Sequence, residues 1–135
     1  MSDRAEVMAV VREWLGKAEG DLTSARVLLS GGAPTWAICF HAQQAVEKYI
    51  KALLVLQGTH FGKTHDIGEL LELLPLAQRP PLDAEAAVEL TRSAVASRYP
   101  DMTEPTSEEA ERLLGHVARV REFIRTVLPP DLQEP

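Results

Sequence analysis

The chain has 135 residues, 45% of them hydrophobic and 25% charged, which is the length of one domain and the composition of an ordinary globular protein. Its formal net charge of −6 excludes a broad basic face that would hold nucleic acid by neutralising phosphates, while leaving room for a local basic pocket. A single cysteine, Cys39, excludes a disulfide framework and a thiolate metal cluster, and fits a reducing compartment.

Val7, Val11, Trp14, Ala18, Leu22, Ala25 and Leu29 recur at spacings of three and four, which predicts an amphipathic helix from about residue 4 to residue 29, ended by Gly31-Gly32. A second helix, Trp36 to Leu56, is apolar nearly all round; Pro34 stands near its start and Gly58 just past its end. Turned as a helix, it puts Ile38, Ala42, Ala45, Tyr49, Leu53 and Leu56 along one line and His41, Gln44 and Lys48 along another edge. A helix this apolar belongs inside a bundle, where its polar groups need partners or a purpose. Glu47, Lys48 and Lys51 interrupt the apolar run, and no basic flank followed by an apolar core opens the chain. Neither a membrane span nor a signal peptide is expected, and the setting is read as cytoplasmic.

Asp66 followed by Glu69 reads as a capping box for a short third helix, Ile67 to Leu74, closed by Pro75. The segment LAQRPPLD is a connector, after which Asp83 can cap a fourth helix running to about Ser97, stopped by Tyr99-Pro100. Thr106 with Glu109 forms a second capping box, and Ala110, Leu113, Val117, Val120, Ile124 and Val127 carry a fifth helix to Pro129. The closing PPDLQEP reads as a frayed end, and no strand pattern or internal repeat is present. The expected fold is all-α: an up-and-down antiparallel helical bundle of about five helices, one domain over residues 1–135 with its core at about 7–128.

Several constellations bear on chemistry. The segment GTHFGKT, Gly58 to Thr64, differs from a phosphate-binding loop, because three residues rather than four separate its glycines and a helix rather than a strand precedes it. What remains is a cluster of Lys63, His60 and His65 beside the third helix, either a solvated polar turn or an anion site. His41, Gln44 and Lys48 are either a structural polar seam, with His41 bonded to another helix and Lys48 snorkelling to water, or a pair of cationic groups able to hold a phosphate or tune a proton transfer. His41, His60, His65 and His116 are scattered over different elements, so no metal site is expected, and no nucleophile elbow supports Ser-His-Asp chemistry.

Four segments in order, WLGKAEGDLTSARVLL, FHAQQAVEKYIKALLVLQG, KTHDIGELLELL, and SRYPD before a last long amphipathic helix, together resemble the HEPN domain family over roughly Val7 to Leu128. The resemblance implies an antiparallel helical bundle that pairs as a homodimer and is commonly encoded beside a minimal nucleotidyltransferase. Some members are ribonuclease toxins of toxin-antitoxin or antiviral systems, using an Arg followed four to six residues later by a His. Here Arg98 matches the Arg, but YPDMTEP after it holds no His; Arg112 and His116 are separated by only three residues and read as a surface pair on one helix face. The match is instead to the subgroup that shares FHAQQAxEK and THD, regarded as a nucleotide-binding or partner-binding module. On that resemblance His41, Lys48, His65 and Arg98 would face a common cleft.

The sequence therefore reads as a HEPN binding module without catalytic residues, metal or cofactor. It would be a homodimeric partner of a separate minimal nucleotidyltransferase in a toxin-antitoxin-like system, with nucleotide or RNA as ligand classes and no membrane partner. Two alternatives stand beside it. One is a metal-independent endoribonuclease in which Arg98 works with a His from the second helix or from the His65 loop. The other is a purely structural dimerisation module.

Overall fold

The computed structural model describes residues 3–96 and 99–132. Five α-helices account for most of them: α1 Arg4–Ser30, α2 Thr35–Leu56, α3 Ile67–Glu72, α4 Ala84–Ala96 and α5 Ser107–Val127, with short 3-10 turns at Leu76–Gln78 and Pro130–Leu132. No strand occurs among the described residues, and the fold is all-α.

Local chemistry sets the ends. Asp3 accepts from the Ala5 amide at 3.3 Å to open α1, Asp83 from Ala86 at 2.8 Å to open α4, and Thr106 from Glu109 at 3.1 Å to open α5. The α1 and α2 helices end by one device. Gly32 and Gly58 each take φ 71°, a left-handed conformation that suits glycine. The following amides of Ala33 and Thr59 then return to the carbonyls of Leu28 and Leu54, both at 2.9 Å. The α3 helix stops short of its predicted end at Leu74. Asp66 accepts from the Glu69 amide at 3.0 Å, but the Glu69 carboxylate accepts from the Thr64 hydroxyl instead of completing the box, and Leu73 and Leu74 leave the helix ahead of Pro75.

Helix α2 is the axis of the molecule and packs against each of the other four helices. Of the predicted line, Ile38, Ala42, Ala45, Tyr49 and Leu53 are buried and Leu56, at the end of the helix, is half-buried; Cys39, Val46, Ile50, Ala52 and Leu54 on its other sides are buried too. Burying a Leu or Ile side chain stabilises the fold by about 1.5–3 kcal/mol, so this one helix contributes a large share of the core.

Cross-helix contacts fix the directions. Asp21 on α1 meets both His41 and Lys48 on α2, while Trp14, nearer the start of α1, meets Lys51 towards the far end of α2 and Phe61 in the loop beyond it. Those helices are therefore antiparallel. Thr35 at the start of α2 donates to the Pro105 carbonyl just before α5 at 2.6 Å, and Arg121 late in α5 donates to Glu19 on α1 at 2.7 Å, so α5 runs with α2 and against α1. Glu89 in α4 holds Arg112 in the first half of α5, and Ile67 at the head of α3 donates to Thr91 Oγ1 at 3.0 Å. The result is an up-and-down bundle of α1, α2, α4 and α5, with α3 as a single extra segment crossing between α2 and α4.

Candidate functional site

A polar seam runs along α2 inside this apolar frame, organised around two carboxylates. The first is Asp21 on α1. Its Oδ1 accepts from His41 Nδ1 at 2.9 Å and its Oδ2 from Lys48 Nζ at 2.6 Å, with all three side chains more than two-thirds covered. His41 thus bonds to another helix, as the structural reading of the seam expects. Lys48 does more than snorkel: it closes an ion pair.

The second carboxylate is Glu47, only 3% exposed. Its Oε1 accepts from His65 Nδ1 at 2.8 Å and Gln43 Nε2 at 3.0 Å, and its Oε2 from Lys51 Nζ at 2.9 Å. Gln43 also donates to the His65 carbonyl at 3.2 Å, and Gln44 donates to Gln43 Oε1 at 2.7 Å. Through this chain the loop carrying His65 is tied to α2. Burial alone would raise the Glu47 pKa; the bonds from Lys51, His65 and Gln43, with the Lys51 charge, outweigh that and hold it below the usual carboxylate value. The Lys51 ammonium is also 5.5 Å from the Trp14 ring centroid and 5.6 Å from that of Phe61, so two aromatic faces help a nearly buried cation.

The predicted residues therefore divide. His41 and Lys48 share Asp21, His65 belongs to Glu47, and Arg98 lies outside the described residues. Lys63 and His60 are exposed and make no hydrogen bond or ion pair with a described residue. At the head of α3 the Glu69 amide is taken by the Asp66 carboxylate and the Ile67 amide by the Thr91 hydroxyl. Gln43, Glu47 and Lys51 were missed as a group, though they stand at i, i+4 and i+8 on an otherwise apolar helix, a spacing that puts them on one face. The sequence reading took Glu47 and Lys51 only as interruptions.

Arg112 and His116 do share one face of α5, but not as a free surface pair. Arg112 forks onto Glu89, its Nε at 3.1 Å from each carboxylate oxygen. His116, with 11% of its side chain exposed, lies between the same carboxylate, 3.5 Å from Nε2, and the guanidinium of Arg119, which donates to its Nδ1. Burial first, then the Arg119 charge, lowers the His116 pKa against the pull of Glu89, favouring a neutral ring. The Arg112 bond and charge hold Glu89 below the usual range. No group of three or more His, Cys, Asp or Glu side chains able to hold a metal ion occurs among the described residues.

In both clusters each imidazole, and each lysine of the seam, already faces a carboxylate. Such an arrangement orders loops and fixes register, and any incoming anion has to compete with Asp21 or Glu47 for its cations.

The family model for the HEPN domain matches residues 11–127. Among solved structures the chain is similar to TT1696 from Thermus thermophilus, with 35% identity, coverage of 87% of this chain and 98% of that one, and a TM-score of 0.75. It is also similar to ST0689, an archaeal HEPN homologue, with 29% identity, coverage of 86% and 95%, and a TM-score of 0.64. No curated protein matches the chain significantly. The family match spans Asp21, His41, Glu47, Lys48 and His65, the whole described seam, and the chain belongs to the HEPN domain family.

Proposed function

We propose that this chain is a non-catalytic HEPN binding module, a single domain that works as a homodimer and as the helical partner of a separate minimal nucleotidyltransferase in a toxin-antitoxin-like system. The observation that carries this reading is the internal pairing of the seam: Asp21 holds His41 and Lys48, and Glu47 holds His65 and Lys51. A ribonuclease needs a His free to exchange a proton with the substrate and a cation free to meet the charge growing on phosphate. Here Lys48 and Lys51 are committed to carboxylates and cannot meet that charge without breaking an ion pair, and His41 and His65 are each held through Nδ1, tying helices and a loop together.

Dimerisation finds support on α4. Val88 and Val95, seven residues apart and so on one face, are 58% and 48% exposed, and Tyr99 and Met102 just beyond the helix are also exposed. No helix of the described residues is long and apolar enough to cross a membrane, and the lone buried Cys39 suits the cytoplasmic setting that belongs to this proposal. A nucleotide or phosphate site at His41, Lys48, His65 and Arg98 is its finest part. Binding there is expected to be weak and to fall with salt, because the anion must displace Asp21 or Glu47.

The test combines two assays on the purified chain: single-stranded RNA without added metal, and calorimetric titration with a nucleoside triphosphate. We expect no cleavage, with weak salt-sensitive binding lost in Arg98→Ala. Robust cleavage that disappears in Arg98→Ala overturns the binding-module reading in favour of the endoribonuclease, and silence in the titration removes the nucleotide site while leaving the partner scaffold.

A further inference from the structure

A cavity of about 400 Å³ opens between α1 and the C-terminal half of α5, within the size range of small-molecule sites. It is separate from the seam: Glu19 lines it, whereas Asp21, two residues on and so on another face of α1, serves His41 and Lys48. Leu15, Ile124, Leu128 and Leu132 make an apolar wall. Tyr49 lies in that wall, 1% exposed, with its hydroxyl beside the Glu19 carboxylate and the Arg121 guanidinium. Glu19 and Arg121 are its charged neighbours, and they bond to each other.

The polar rim sets the charge the cavity prefers. Arg121 is committed to Glu19 at 2.7 Å. The Arg12 guanidinium donates only to the Asp131 backbone carbonyl, at 3.4 Å, leaving the Asp131 carboxylate apart, and the Arg125 guanidinium makes no hydrogen bond or ion pair with a described residue. Three guanidiniums thus face two carboxylates, an excess of one positive charge. A monoanion balances that excess, whereas a phosphate dianion overshoots it, and the apolar wall asks for an apolar body behind the charged head. Gly16 lines the same cavity from the middle of α1, and nothing lies within 4 Å of where its Cβ would stand. The wall is open at that point because the residue has no side chain.

We propose that the cavity between α1 and α5 binds a small monocarboxylate with an apolar body, the carboxylate meeting Arg125 and Arg12 at the rim and the apolar body lying against Leu15, Ile124, Leu128 and Leu132. Octanoate is the probe, titrated by calorimetry below its micellar concentration, with octanol as the uncharged control. We expect octanoate to bind, and octanol and the Arg125→Gln variant each to lose about tenfold in affinity. Gly16→Leu should keep the fold, since leucine favours a helix more than glycine does, and should abolish binding by filling the opening. Absence of octanoate binding at millimolar concentration, equal affinity for octanol, or undiminished binding by a folded Gly16→Leu variant would each overturn the proposal.

Discussion

Replacing Glu47 with Ala removes the acceptor of three bonds at once and strands Lys51, whose side chain is only 8% exposed. Deleting one partner of a buried ion pair costs about 3–5 kcal/mol, because the remaining charge cannot be resolvated. The Trp14 and Phe61 rings beside the ammonium offset part of this, each by about 0.5–1 kcal/mol, so the loss is expected near the lower limit, about 3 kcal/mol. For 135 residues the entropy of unfolding is about 0.28 kcal/mol/K, which converts that loss to a fall of about 10 °C in melting temperature. Thermal melting by circular dichroism at pH 7 measures it. The double variant Glu47→Leu with Lys51→Leu removes both charges and should melt well above the single one, since an apolar pair of similar size replaces the ion pair. The pH dependence follows from the sign of the shift. The folded Glu47 carboxyl is held below its ordinary value of 4.5, so its contribution is present above that value and is lost as pH falls through the lower, folded one. The parent should therefore lose stability more steeply than Glu47→Gln below about pH 4.5. A Glu47→Ala protein that melts within a degree or two of the parent would refute the view that this buried network holds the His65 loop to α2.

Ala42→Glu or Leu53→Asp should unfold the chain, because both positions are buried on the central helix and an unpaired buried carboxylate costs several kcal/mol against a total stability of about 5–15; an unchanged melting temperature for either would mean that α2 is not central. Light scattering should give the parent about twice the 14.9 kDa chain mass, and Val88→Asp with Val95→Asp should return it to the monomer; a monomeric parent across micromolar concentrations would sink the dimer. Cys39, 1% exposed and with its pKa pushed up to about 11 by burial and then by Glu109, Glu89 and Glu104, should resist thiol reagents at pH 8 in the native protein and react at once in denaturant, so rapid native labelling would contradict its placement.

The long helices were legible because their signals are local. A run of apolar residues at spacings of three and four, a Gly31-Gly32 stop before Pro34, and Thr106 three residues before Glu109 each specify backbone geometry within one turn, and the structure places α1, α2 and α5 within two residues of those marks for their starts and ends, counting α5 from its Thr106 cap. The third helix shows the limit of the same reasoning. Asp66 and Glu69 have the capping spacing, but whether Glu69 turns back or reaches Thr64 depends on the loop conformation, which the two residue types do not encode.

The site was legible only on one side of each interaction. His41 and Lys48 could be placed on a common edge of α2, yet the carboxylate that pairs both is Asp21, on another helix and more than five turns of chain away. Glu47 and Lys51 were visible as charges in an apolar run, and a run too polar for a membrane was all they indicated until the His65 loop folded onto them. Tyr49 is the reverse case: its ring belongs on the apolar line where the pattern puts it, and the pattern is silent about a hydroxyl that ends beside the Glu19–Arg121 pair of two other helices. Periodicity reports which face of a helix is buried, because burial is set by the helix's own turn. Whether a polar atom on that face is satisfied is set by another segment of chain, so function in a bundle of this kind resides where spacing alone carries no information.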